Sequence, residues 1–271
     1  MSVCRDLSID TVELRVIAGK NIVFHDEDSL QHIKSLLDHQ GFRVCAIDAP
    51  FLKSHFWGDA HNQQLATRSA SAYSADFDPP EKQWEILERS FVLARQFGAS
   101  LVRTFSFWRF PDPTAVREEV CAIIAEAARR TEAAGLKLAI ENEHACNVAT
   151  GAEVGWLFER IPSKAFGSLW DPGNEAAINS DPFPQGYSYV RGRVFHMHVK
   201  DWSPQQKKFV KMGTGSIDYV NQFRLMAEDG YDGILSLETH YAHPEGGKEL
   251  ATRESCAALR NILHEAGVKL T

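Results

Sequence analysis

The sequence predicts an α/β chain wound as a (β/α) barrel, and three observations carry that reading. Strand-like and helix-like segments alternate from Thr11 to the C-terminus, which demands a parallel sheet joined by right-handed crossovers. No G-x-G-x-x-G or Walker loop follows the first strand, where an open doubly wound sheet would hold a phosphate. Polar residues instead recur at the C-terminal end of strand after strand, the face at which a barrel gathers its functional side chains.

Thr11 to Val16 is the first strand candidate. A helix over Asp28 to Gln40 follows, with Leu30, Ile33, Leu36 and Leu37 on one stripe and Gly41 as its stop. Arg43 to Pro50 reads as a strand, a polar loop with Trp57, His61 and Arg68 comes next, and a helix spans Pro80 to Phe97 before Gly98. Leu101 to Phe107 is a strand, and the helix Thr114 to Ala134 has Pro113 at its start and Gly135 at its end. Lys137 to Glu143 is a strand, Thr150 to Ile161 a helix, and Phe166 to Asp171 a strand broken by Pro172-Gly173. A loop with Pro182 and Pro184 leads to the strand Val194 to Val199. Then come a connection through Gly213 and Gly215, a helix from Asp218 to Asp229, a strand from Gly233 to Tyr241 and a last helix from Lys248 to Ala266. With no linker or composition shift, residues 1–271 read as one domain.

Hydrophobic residues at 44% and charged residues at 24% can build a sizeable core and argue against disorder. The formal charge of -7 disfavours a nucleic-acid backbone or an anionic membrane as partner. No run approaches the roughly 18 apolar residues of a membrane span, and the N-terminus lacks the order of a signal peptide. The five cysteines are scattered, odd in number and without C-x-x-C spacing, so we expect reduced thiols in a cytoplasmic protein. The expected partner is a small molecule, and a homo-oligomer is compatible with the sequence.

The chemistry centres on Arg193 to Trp202. On a strand, His196, His198 and Lys200 share one face, and Phe195, Met197 and Val199 share the other. Two imidazoles facing the same way suit metal ligation, although either alone reads equally as a hydrogen-bonded core histidine. Arg15, Asp48, Arg103, Glu141, Glu143, Asp171, Glu238 and His240 likewise follow or interrupt apolar runs. An unpaired buried carboxylate costs several kcal/mol, so acids recurring at equivalent strand ends imply a cation among them. Glu141, Asp171, His198 and Glu238 make an oxygen-rich set suited to one divalent ion, Mn²⁺, Mg²⁺ or Co²⁺, and compatible with Zn²⁺. Ion pairs with lysine or arginine are the other reading of each acid. Glu143 and His240 lie two residues nearer the rim. Trp57, Phe107, Trp108, Trp170 and Trp202 read as pocket walls or as plain packing.

Five motifs then occur in order: Leu138-Ala-Ile-Glu-Asn-Glu143, Leu169-Trp-Asp-Pro-Gly-Asn174, His196-Met-His-Val-Lys-Asp201, Gly213-Thr-Gly215, and Asp229 through Leu-Ser-Leu-Glu-Thr-His240. From Thr11 onward the chain resembles the sugar phosphate isomerase/epimerase group of the xylose-isomerase-like TIM barrels. The resemblance implies that Glu141, Asp171, His198 and Glu238 hold a divalent metal. Glu141 and Glu238 would then be the acid/base pair on either side of a bound ketose, with substrate contacts among Arg103, Glu143, Asn174, His196, Lys200 and His240. The implied activity is metal-dependent isomerisation or epimerisation of a small sugar, keto-sugar or polyol-derived substrate through an enediolate. An inosose-type dehydratase and a degenerate, non-catalytic sugar-binding barrel are the alternatives. A DNA repair endonuclease of the endonuclease IV kind fits poorly with an acidic chain and a single ligand set.

The chain departs from the pattern in three places. Ketose 3-epimerases usually carry a histidine three residues after the aspartate ligand, where this chain has Asn174, and an arginine six residues after the histidine ligand, where it has Pro204. Family members also place a strand and helix of roughly 20 to 30 residues ahead of the strand equivalent to Thr11 to Val16. We therefore expect about seven strands and an open seam, or a start placed within a longer product.

Overall fold

A computed structural model describes residues 1–57 and 79–270; His61 and Arg68 lie outside the described residues. At its centre seven parallel strands form a nearly closed barrel, as expected. They are β1 (Thr11–Leu14), β4 (Arg43–Ile47), β5 (Leu101–Thr104), β6 (Lys137–Glu141), β7 (Phe166–Trp170), β8 (Val194–Val199) and β11 (Leu235–Leu237). Two small hairpins decorate the barrel, β2 (Val16–Ile17) with β3 (Lys20–Asn21), and β9 (Asp201–Ser203) with β10 (Lys208–Val210).

The helices follow their sequence signals. After a short N-terminal turn, α1 (Ser2–Asp6), helix α2 (Glu27–His39) starts where the Asp26 carboxylate accepts from the Ser29 amide, and buries Leu30, Ile33 and Leu37. Helix α3 (Pro80–Phe97) begins with proline at its first position and ends at Gly98, whose φ of 74° is the left-handed conformation glycine adopts freely. Helix α4 (Arg117–Ala133) packs on β6, and α5 (Gly151–Phe158) opens on a reciprocal cap between Thr150 and Glu153. Helices α7 (Tyr219–Glu228) and α8 (Lys248–Glu265) close the wheel.

Two connections differ from expectation. Pro172-Gly173 does not merely break a strand: with Asp171 as its cap and Pro172 at its first position, it starts the short helix α6 (Pro172–Ala177). The connection through Gly213 and Gly215 wraps the Asp201 carboxylate, which accepts from both glycine amides at 3.0 and 2.8 Å. A Cβ on Gly215 would lie 2.1 Å from Asp201 Oδ1, so only glycine fits there.

Inside the barrel Ala46, Leu101, Ala139 and Leu169 pack into one apolar layer, with Phe195 against it. Side chains two residues apart on a strand share a face. One step above that floor therefore stand Asp48, Arg103, Glu141 and Asp171, all buried. The ring is interrupted between β1 and β11, which do not pair among the described residues. A cleft of about 400 Å³ lies there, between Thr11, Val12 and Glu13 on one side and Leu235, Ser236 and Leu237 on the other.

Glu175 in α6 ties this region to α5: it accepts from the Gly151 amide at 2.9 Å and the Ser180 hydroxyl at 2.7 Å. Burial pushes its carboxyl from the ordinary 4.5 up to about 7, against the lowering effect of those two donors. Between these values the folded state holds a proton that the unfolded state has lost. Its contribution is thus fully present below 4.5 and is lost as pH rises to about 7. Glu175→Gln is expected to flatten the stability profile across that window by up to about 1.4 kcal/mol per pH unit. Urea unfolding of both proteins at several pH values checks this; parallel profiles would contradict it.

Candidate active site

Four strands deliver the metal-ligand candidates to one point. Oxygens of Glu141, Asp171 and Glu238 and a nitrogen of His198 all lie within 4.8 Å of one another. His198 Nδ1 is buried and makes no hydrogen bond, and its surroundings are Glu141 Oε1 at 3.6 Å, Asp171 Oδ2 at 3.9 Å and Glu238 Oε2 at 3.9 Å. Ligand atoms held about 2.1 Å from a common ion stand roughly 3.0 to 4.2 Å apart, so the set fits a small divalent cation.

Each carboxylate is oriented by neighbours. Glu141 Oε2 accepts from Arg103 Nη1 at 3.0 Å, and its Oε1 accepts from Asn174 Nδ2 at 3.1 Å. Asp171 Oδ1 caps α6, while Asn142 clasps the Asp171 backbone by accepting from its amide at 2.7 Å and donating to its carbonyl at 2.8 Å. Lys200 Nζ sits 2.7 Å from Asp171 and 2.5 Å from Glu238. Glu238 also receives Arg15 and lies 3.2 Å from His240 Nε2.

Among the described residues around this point, the carboxylates of Glu13, Asp48, Glu141, Glu143, Asp171 and Glu238 stand beside Arg15, Lys53, Arg103 and Lys200 and the imidazoles of His196 and His198. Burial would raise Glu141, but Arg103 and His198 bring it down to about 2, and Lys200 likewise holds Glu238 well below the usual range. Asp171 goes the other way: burial, with the charges of Glu141 and Glu238, lifts it despite Lys200. Asp48 is lifted too, by burial and by Glu13, against the pull of Arg103.

The remaining expected residues fall into two places. Near the rim, Glu143 is 2.8 Å from Lys53 Nζ and 2.7 Å from His144, and the side-chain Oδ1 of Asn174 meets His144 Nδ1 at 3.1 Å. His240 stands half-exposed, with its ring 5.0 Å from that of Phe209. Deeper down, His196 turns its Nε2 to Glu13 Oε1 at 2.7 Å and does not join the four-ligand set. Of the aromatic residues, Trp170 and Phe107 lie wholly inside the core, Trp57 packs against Phe107, Trp108 is near Lys53, and Trp202 packs on Phe209.

Sequence reasoning passed over Glu13, Lys53, His144 and Asn142. Glu13 had a signal: it precedes Arg15 by two residues and so shares its face of β1. Lys53 and His144 had none, because they reach the site from loops.

The family described as the xylose isomerase-like TIM barrel matches residues 1–262. The inosose dehydratase of Clostridium botulinum is 26% identical over 121 residues, which are 38% of this chain and 40% of that protein. The chain spans about two fifths of the length of the curated relatives it matches. Among solved structures, a D-tagatose 3-epimerase-like protein superposes with a TM-score of 0.73 at 16% identity, covering 98% of this chain and 93% of that one. A xylose isomerase-like TIM barrel protein from Mycobacterium smegmatis, in complex with magnesium, gives 0.68 at 19% identity, covering 98% and 86%. Both share the fold.

Proposed function

Because the chain belongs to the xylose isomerase-like TIM barrel family, we propose that it is a divalent-metal-dependent isomerase or epimerase of a small sugar or keto-sugar. The observation that carries the reading is the convergence of Glu141, Asp171, His198 and Glu238, from the ends of four strands, within 4.8 Å. The magnesium bound by one relative of the same fold supports it. Glu141, Asp171, His198 and Glu238 would hold the divalent ion, which when bound would supply Lewis-acid polarisation of a substrate carbonyl.

The chain's own residues then move the proton. Glu141 is kept ionised by Arg103, so its carboxylate would receive a proton from the substrate carbon. Glu238, kept ionised by Lys200, serves the opposite face of the sugar. Asn174 and Arg103 fix the Glu141 rotamer, while Lys200 and His240 fix that of Glu238. Arg15, Lys53, Arg103 and Lys200 are each paired with protein carboxylates, which favours a neutral, unphosphorylated sugar.

Incubating metal-loaded protein in D₂O with a panel of unphosphorylated ketoses is expected to introduce deuterium at the carbon beside the carbonyl. No exchange with any of them, at full metal loading, refutes the proposal. The inosose dehydratase relative favours a second outcome on the same site, in which proton removal is followed by loss of a β-hydroxyl. A product lighter by one water identifies it.

A further inference from the structure

We propose that Glu13 is the positioning residue of the metal site, fixing which nitrogen of His198 faces the ion. The inference rests on the metal reading above. Glu13 stands on β1 and both imidazoles stand on β8, on opposite sides of the seam and more than 180 residues apart in the chain. One carboxylate serves both rings, with Oε2 2.9 Å from His198 Nε2 and Oε1 2.7 Å from His196 Nε2. The two rings are 2% exposed and Glu13 is 9% exposed, so water does not compete for these contacts.

An ionised carboxylate only accepts hydrogen bonds, so the Nε2 atoms that face it carry hydrogen. A neutral imidazole with hydrogen on Nε2 presents a lone pair at Nδ1, and His198 Nδ1 is the nitrogen surrounded by Glu141, Asp171 and Glu238. Were His198 turned over, an N–H or a carbon would face those carboxylates. His196 has a distinct part: by holding the other oxygen it stops the Glu13 carboxylate from rotating away from His198. The two rings meet edge to face at 5.7 Å and 82°, so neither turns without displacing the other. A carboxylate behind a ligating histidine both orients the ring and raises its basicity, and losing one typically weakens metal binding roughly 10- to 100-fold.

The test begins with Mn²⁺ titration of metal-free wild-type protein. Absence of binding there overturns the metal reading and this inference together. Glu13→Gln matches the carboxylate in shape but opposes an amide N–H to one of the two rings. It is expected to bind Mn²⁺ roughly 10- to 100-fold more weakly while its circular dichroism stays that of the wild type. Equal affinity in wild type and E13Q overturns the positioning role alone. Imidazole ¹H–¹⁵N correlation spectra of wild-type, Mg²⁺-loaded protein give a reading that does not depend on the variant folding. His198 is expected to carry its hydrogen on Nε2, and a hydrogen on Nδ1 overturns the proposal.

Discussion

For the epimerase proposed above, replacing Glu141 by glutamine is expected to slow interconversion of the two sugar epimers by roughly 10²- to 10⁴-fold, the range a positioned acid or base contributes. The amide keeps one oxygen to accept from Arg103 or Asn174, which donate to the two native oxygens at 3.0 and 3.1 Å, opposes an N–H to the other donor, and cannot take up a proton. The defect should be one-sided. If Glu141 and Glu238 each attend one face, the variant still exchanges deuterium into the epimer deprotonated by Glu238, without converting it to the other. Offering each epimer separately in D₂O and following label and conversion by NMR reads both quantities. Conversion within tenfold of the wild type would show that Glu141 moves no proton.

Lys200→Met should have the second large effect, and on stability rather than rate. Lys200 is buried, and its single ammonium lies between Asp171 and Glu238, which are 0% and 16% exposed. Removing one member of such a buried ion pair leaves the other charge uncompensated, typically at a loss of roughly 3–5 kcal/mol. Total stabilities of folded proteins are about 5–15 kcal/mol, so the metal-free variant is expected to be barely folded. At the proposed metal site divalent ions would supply positive charge to the same two carboxylates and, binding only the folded chain, would contribute about 4 kcal/mol at a thousandfold excess over Kd. The rise in Tm on adding Mg²⁺ or Mn²⁺ is therefore expected to be larger for the variant than for the wild type. Equal rises would mean that lysine and metal do not serve the same charges.

Much of this arrangement is legible in the sequence because it obeys one simple rule. Leu101 and Arg103, Ala139 and Glu141, and Leu169 and Asp171 are pairs two residues apart, so an apolar floor residue predicts where its polar successor points. Gly98 and Pro80 mark helix ends through backbone conformation alone, and the structure follows them. The errors have equally physical causes. Gly233 to Tyr241 reads as a long strand, yet β11 pairs with β8 over only Leu235 to Leu237 before the chain turns away to bring Glu238 to the site. Pro172-Gly173 reads as a breaker because proline does stop strands, but next to a capping aspartate the same ring starts a helix. Glu13 sits in Thr-Val-Glu-Leu, the pattern of a half-solvated strand, and only the arrival of β8 gives its carboxylate a partner.

A closed barrel bears load like a hoop, each strand braced from both sides. Among the described residues this one is open between β1 and β11, so that β11 is paired on one side only, by a three-residue ladder to β8. Glu238 and His240 ride just beyond its tip. Among the described residues the candidate ligand set thus divides into three members carried by strands paired on both sides, Glu141, Asp171 and His198, and one, Glu238, carried at the end of a strand paired on one side only.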